Sequence, residues 1–209
     1  MTKQKISELI EALKIEYPNP DCALNYTKDY ELLFATRLAA QCTDARVNLI
    51  TPNLFKKYPT LEDLAKADQR QLEVIIHSSG FYRAKARDII AASNMLLSEY
   101  NGKVPDKMED LLRLPGVGRK TANLILGDIF KKPGSIVVDT HCIRLTNRIG
   151  LVDNEKDPTK IEMKLREKLP PEESNDFCHR LVLHGRAICT ARNPKCENCY
   201  INHLCKKIL

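Results

Sequence analysis

The chain has 209 residues, 33 of them Lys or Arg and 27 Asp or Glu, for a net charge of +6. That length suits one large domain or two small ones, and a hydrophobic share of 43% supplies a packed core, which excludes wholesale disorder. Only 8 glycines and 11 prolines exclude a collagenous or low-complexity chain, and no apolar run approaches the ~18 residues of a membrane span.

In chain order the pattern is helical almost throughout. The opening residues lack the apolar stretch of an export signal, and Glu8, Glu11 and Glu16 do not suit a transit peptide. The expectation is a cytoplasmic protein whose thiols stay reduced. Ile6, Leu9, Ile10 and Leu13 recur at helical spacing and mark a first amphipathic helix, which Pro18 and Pro20 stop. Leu32, Leu33, Leu38 and Ala39 mark a second, more buried one. Thr43 reads as the N-cap of a third helix that runs through residue 57. Short helices follow at 61–66 and 69–77. Gly80 ends the latter, and a longer helix covers 82–100. Residues 107–113 lead into a glycine turn, with a helix at 120–130 behind it. Ile136-Val137-Val138 is strand-like but too short to found a sheet. Helices at 141–149, 159–168 and 175–188 complete the pattern. Composition and charge both change at Pro133-Gly134, the expected domain boundary.

The positive charge is concentrated. Residues 111–134 hold five basic residues against one acidic, and residues 178–209 hold six against one. Such patches attract polyanions, nucleic acid above all, although a solvated basic face fits the charge equally well. The glycine turn tips the balance. In Leu114-Pro115-Gly116-Val117-Gly118-Arg119-Lys120-Thr121, proline stops one helix and the glycines allow a tight turn into the next. A helix start of this kind binds phosphate through unpaired N–H groups and the helix dipole, with Arg119 and Lys120 adding charge. The pattern is that of a helix-hairpin-helix, a sequence-independent clamp on the DNA backbone.

Lys120 stands in the first turn of that helix. The helix dipole and Arg119 disfavour ammonium there, and a neutral amine attacks carbon to form a Schiff base. Asp139 follows the Ile136–Val138 run at the mouth of the next helix. It suits either an N-cap or a negative charge held beside an oxocarbenium-like sugar.

Of 8 cysteines, Cys22, Cys42, Cys142 and Cys178 are scattered and read as small core residues. Cys189, Cys196, Cys199 and Cys205 instead form a C-x6-C-x2-C-x5-C cluster. Four thiolates this close call for a metal. Zinc ribbons usually offer two C-x2-C pairs, whereas one pair flanked by wider loops is compatible with an iron–sulfur cluster, so spacing leaves the metal open. His179, His184 and His203 lie near as alternative ligands.

Gln41-Cys42-Thr43-Asp44, the Leu114 to Thr121 turn, Val138-Asp139-Thr140-His141 and the four-cysteine terminus together resemble the endonuclease III family, bifunctional DNA glycosylases and abasic-site lyases, over essentially the whole chain. The resemblance implies an all-α fold of two helical lobes with a DNA groove between them. A six-helix barrel with the helix-hairpin-helix would span 22–134. A discontinuous lobe of 1–21 and 135–209 would carry the cluster loop. It further implies a [4Fe–4S] cluster on Cys189, Cys196, Cys199 and Cys205, Lys120 as nucleophile and Asp139 as essential carboxylate.

Implied DNA contacts are Leu114, Gly116, Val117, Gly118, Arg119 and Thr121 of the hairpin. Gln41 would fill the space that a flipped nucleotide vacates, Phe81 would wedge the opposite strand, and His141 would line the pocket. Phe81 is aromatic where the family commonly has Leu. The implied partner is double-stranded DNA containing oxidised or ring-damaged pyrimidines or abasic sites, bound by a nucleoid-associated monomer that uses no membrane. Two rivals stand beside this reading. An adenine-type monofunctional glycosylase would normally lack a lysine at position 120 and carry a further C-terminal domain. A non-catalytic, metal-bound DNA-binding module leaves Lys120 and Asp139 without a task.

Overall fold

The computed structural model describes residues 1–208, and every regular element among them is helical. The elements are α1 (Lys3–Glu16), α2 (Asp29–Ala39), α3 (Asp44–Lys57), α4 (Leu61–Ala65), α5 (Gln69–Ile76), α6 (Tyr82–Glu99), α7 (Met108–Arg113), α8 (Arg119–Asp128), α9 (Thr140–Ile149), α10 (Pro158–Arg166) and α11 (Ser174–Ala187). Short 3-10 turns at His77–Ser79, Pro171–Glu173 and Cys196–Asn198 were not legible in the apolar spacing. Ile136, Val137 and Val138 are buried but form no strand. No described helix is long and apolar enough to cross a membrane.

Local chemistry explains the helix starts. Thr43 accepts a hydrogen bond from the Arg46 N–H, as the sequence leads one to expect of an N-cap. Thr60 and Asp63 form a reciprocal capping box on α4. Asp157 caps α10, whose first residue is Pro158, a position where the missing N–H costs nothing.

The chain divides into two compact units. One is the continuous segment Cys22–Phe130, holding α2 to α8. Its core gathers around α2 and α6: α6 packs on α4 and α5, and α2 packs on α3, α6 and α8. Leu32, Leu33, Phe34, Leu38, Leu72 and Ile89 are all but inaccessible there. The other unit joins residues 1–21 to the segment from Lys131 onward. In it α11 packs on α1 and α9. The Arg180 Nε donates to the Tyr17 carbonyl at 3.1 Å, and the Tyr17 hydroxyl meets His184 Nδ1 at 3.2 Å. Leu9, Leu145, Leu165 and Phe177 fill its core beside the buried thiols of Cys142 and Cys178.

Truncating Phe34, 1% exposed, should open a cavity at the centre of the first unit. Phe34→Ala is expected to lose about 3–5 kcal/mol of stability in a urea titration, with the helical circular dichroism of the folded protein retained.

Candidate active site and metal centre

The hairpin consists of α7, a turn, and α8. The Val117 N–H donates to the Leu114 carbonyl at 3.1 Å, which closes the turn around Pro115 and Gly116. Gly116 has φ +77°, the left-handed region that favours glycine. A Cβ there would also stand 2.6 Å from Arg37 Nε and 2.9 Å from Asp88 Oδ2. These two side chains form a forked ion pair beneath the turn, Nη2 and Nε of Arg37 both meeting Oδ2 at 2.7 and 3.0 Å. Arg87 holds the second oxygen of Asp88 at 3.1 Å. Gly118 differs from Gly116. Its φ of −107° suits any residue, and a Cβ there would meet nothing within 4 Å. Neither backbone conformation nor internal packing therefore requires a glycine there. No side chain caps α8, so the positive end of its dipole remains available to an anion. Leu114 is buried beneath the turn, Val117, Arg119 and Thr121 are half-buried, and Lys120 is exposed.

Gln41 and Phe81 stand on two loops of the same unit. Gln41 follows α2, is exposed, and has φ +56°. Phe81 precedes α6, is 66% exposed, and has φ +48°. The left-handed region is unfavourable for both residue types and costs of order 1–3 kcal/mol each, a strain that concentrates at working sites.

In the other unit, Asp139 caps α9, its Oδ1 accepting from the Cys142 N–H at 2.7 Å. The cap engages the Oδ1 atom of the carboxylate. Two residues on, His141 is half-buried, with Nδ1 3.1 Å from Nη2 of Arg144. A Cβ on Gly185 would come within 2.5 Å of that same nitrogen, so α11 presents a glycine to make room for the imidazole. Arg144 continues to the Gly185 carbonyl at 3.1 Å and the Cys189 carbonyl at 2.9 Å. Arg148, one turn further, reaches the Thr190 and Ala191 carbonyls at 2.7 and 2.8 Å and the Cys189 sulfur at 3.5 Å.

Cys189, Cys196, Cys199 and Cys205 line one pocket, walled by the apolar side chains of Leu145, Ile149, Ile188 and Ile201. Among the described residues no three Cys, His, Asp or Glu side chains converge on a single-ion position. His184 lies against this pocket, its Nε2 3.4 Å from the Cys199 sulfur. Burial pushes His184 down to about 4, so it is neutral at pH 7. His203 is exposed and His179 half-buried.

Residues 34–171 match the HhH-GPD superfamily base excision DNA repair protein, and residues 189–205 match the iron-sulfur binding domain of endonuclease III. Endonuclease III of Synechocystis sp. is 45% identical over 203 residues, 97% of this chain and 92% of its own. That of Escherichia coli K12 is 39% identical over 206 residues, 99% and 97% of the two chains. The chain belongs to the endonuclease III family. It is a base excision repair enzyme, a DNA glycosylase with abasic-site lyase activity, and it carries a [4Fe–4S] cluster. The solved structure of a trapped endonuclease III–DNA covalent intermediate, an estranged-adenine complex, superposes with a TM-score of 0.93 at 40% identity, covering 99% of this chain and 97% of the other. A thermostable thymine-DNA glycosylase, 24% identical with a TM-score of 0.87, shares the fold.

The donor set fits such a cluster. The Lys207 N–H points to the Cys205 sulfur at 3.3 Å and the Arg148 guanidinium to that of Cys189, and donors of this kind stabilise thiolate ligands. Burial raises the thiols of Cys199 and Cys205, so metal must displace protons to bind. Sequence reasoning missed Arg37, Asp88, Arg144, Arg148 and Gly185, all of which support neighbours rather than act in a motif of their own. Gly185 alone carried a signal, as a glycine inside a helix pattern.

Endonuclease III family chemistry at this pocket is open to direct assay. Protein purified without oxygen should be yellow-brown with about four irons per chain. Cys199→Ser should lose most of that iron and colour. One zinc and no iron in the wild-type chain would overturn the cluster.

Proposed function

We propose that Lys120 and Asp139 remove oxidised or ring-damaged pyrimidines from double-stranded DNA and cut the strand 3′ to the lesion. The reading also takes residues 22–134 as the six-helix barrel with the hairpin, and residues 1–21 with 135–209 as the discontinuous lobe that holds the cluster on Cys189, Cys196, Cys199 and Cys205. The observation that carries it is the exposed Lys120 in the first turn of α8, directly behind the open Gly118. An amine there meets the sugar of a nucleotide whose backbone the hairpin holds.

The lesion nucleotide leaves the base stack, at a cost of a few kcal/mol in lost stacking and pairing. Gln41 enters the gap with amide donors and an acceptor for the orphaned base, Phe81 wedges the opposite strand, and His141 lines the pocket. The Lys120 amine attacks C1′ through its nitrogen lone pair. The bond from C1′ to the base breaks, and its electron pair leaves with the base, which takes up a proton. Asp139 holds negative charge toward the cationic sugar of that transition state, or accepts the proton the amine gives up. The nitrogen lone pair then expels O4′, which takes up a proton, so the sugar ring opens and leaves a protonated Schiff base on Nζ. That imine acidifies C2′. Loss of the C2′ proton and cleavage of the C3′–O bond release the downstream strand with a 5′ phosphate. The cluster, when bound, cross-links the 189–205 loop through its thiolates, and no step of this sequence runs through it.

A monofunctional adenine-type enzyme has no use for the lysine, and a binding module has none for the pair. Borohydride reduction of the protein on abasic duplex should yield a covalent complex, and Lys120→Ala should abolish it while retaining duplex binding. Undiminished trapping in the variant would remove Lys120 as nucleophile. Asp139→Asn keeps an oxygen for the Cys142 N–H and so should keep the melting temperature, yet lose turnover by about 10²–10⁴-fold. Early melting with full activity per folded molecule would reduce Asp139 to its cap.

A further inference from the structure

Lys85 is 0% exposed. Its ammonium donates to two main-chain carbonyls, Leu38 O and Ser79 O, each at 2.8 Å. Among the described residues no carboxylate pairs with it. The other groups that act on it are the Cys42 thiol, which favours its charge, and Arg37, which opposes it; burial is the largest influence and pushes the lysine down. An unpaired buried cation is a costly way to fill space that Leu or Met would fill more cheaply. The compensation is electrostatic and local. Leu38 lies in the last turn of α2 and Ser79 in the 3-10 turn after α5, where carbonyls lack intrahelical partners and carry partial negative charge.

The two carbonyls belong to segments far apart in the chain, and each sits just ahead of a strained residue. Leu38 precedes Gln41 by three positions, and Ser79 precedes Phe81 by two. The Lys85 N–H, moreover, donates to the Phe81 carbonyl at 3.1 Å. One residue therefore grips the Phe81 turn from its main chain and its side chain, and ties that turn to the end of α2.

We propose that Lys85 is a positioning residue for base removal: by joining the Leu38 and Ser79 carbonyls it couples the Gln41 and Phe81 loops, so that the two enter the DNA as one rigid body. The inference rests on the reading of Gln41 and Phe81 as the inserted residues. Coupling lowers the entropy cost of insertion, since one ordering event prepares both side chains. Without the ammonium, two carbonyls lose their partner and each loop must find its geometry alone.

The test uses the cluster-loaded full chain and Lys85→Met, which keeps length and apolar packing but makes neither bond. Single-turnover removal of a damaged pyrimidine from duplex should slow by about tenfold or more. Strand cleavage at a pre-formed abasic site in single-stranded DNA, which requires no displacement of a paired base, should stay within about twofold of wild type. Equal slowing of both reactions, or neither, would overturn the proposal. If Lys85→Met does not fold, the wild-type background decides. Gln41→Ala and Phe81→Ala should then each slow duplex excision, while the double variant is clearly less impaired than the product of the two effects. Multiplicative effects would show independent loops and sink the coupling. Single variants with no duplex-specific defect would instead refute the insertion reading on which it rests.

Discussion

Arg37 of α2 and Asp88 of α6 meet beneath the main chain of Gly116, and the hairpin turn rests on that ion pair. The geometry leaves no space for a side chain on the turn: a methyl at position 116 would stand inside contact distance of both charged groups. A pair this close and largely shielded from water resists screening by salt better than a surface bridge does, and its removal by halves would strand a charge. From this base the rest of the hairpin follows. The turn is pinned to α2 and α6, α8 starts at a fixed point, and Lys120 stands in its first turn.

α9 organises the other unit in a comparable way. Its first turn is built around the Asp139 cap and His141. Its second and third turns send Arg144 and Arg148 to successive carbonyls of the segment that opens the cysteine loop. Two guanidiniums thus satisfy a stretch of irregular backbone that has no ladder of its own, and they set where Cys189 stands. The left-handed Gly150 then ends the helix, where the carbonyls of Arg148 and Ile149 accept from the Ile208 and Lys206 N–H groups, so both ends of the loop are tied to one element.

Much of this architecture was legible before any coordinates because it obeys local rules. The apolar residues of α1 and α2 recur at helical spacing, Thr43 announces a helix start, and Pro115 with Gly116 announces a turn. The spacing of the last four cysteines points to a metal without naming it. What escaped the sequence is what depends on partners distant in the chain. Nothing near Lys85 marks it as buried, since lysines in an amphipathic helix face water by default and its two acceptors are main-chain atoms of other segments. Arg37 and Asp88 are 51 positions apart, and neither belongs to a pattern. Asp139 was legible as a choice between cap and charge, and the structure shows the cap in place without excluding the charge. The left-handed backbone at Gln41 and Phe81 was invisible for a different reason: it opposes the residues' own preferences, so no propensity announces it.

The unit that holds the cysteines draws α1 from one end of the chain and α11 from near the other. The Tyr17 carbonyl and the Arg180 guanidinium that closes on it are 163 residues apart. At translation speeds of about 5–20 residues per second, α1 leaves the ribosome roughly 8–30 s before its partner exists. Within that interval the segment 22–130 is completed and has all its own core residues available, whereas Leu9, Ile10 and Leu13 of α1 still wait for α11. The order of assembly is therefore written into the connectivity. The hairpin unit can mature during synthesis, the amphipathic first helix waits for α11, and metal loading comes after the cysteine loop at 189–205 has been made.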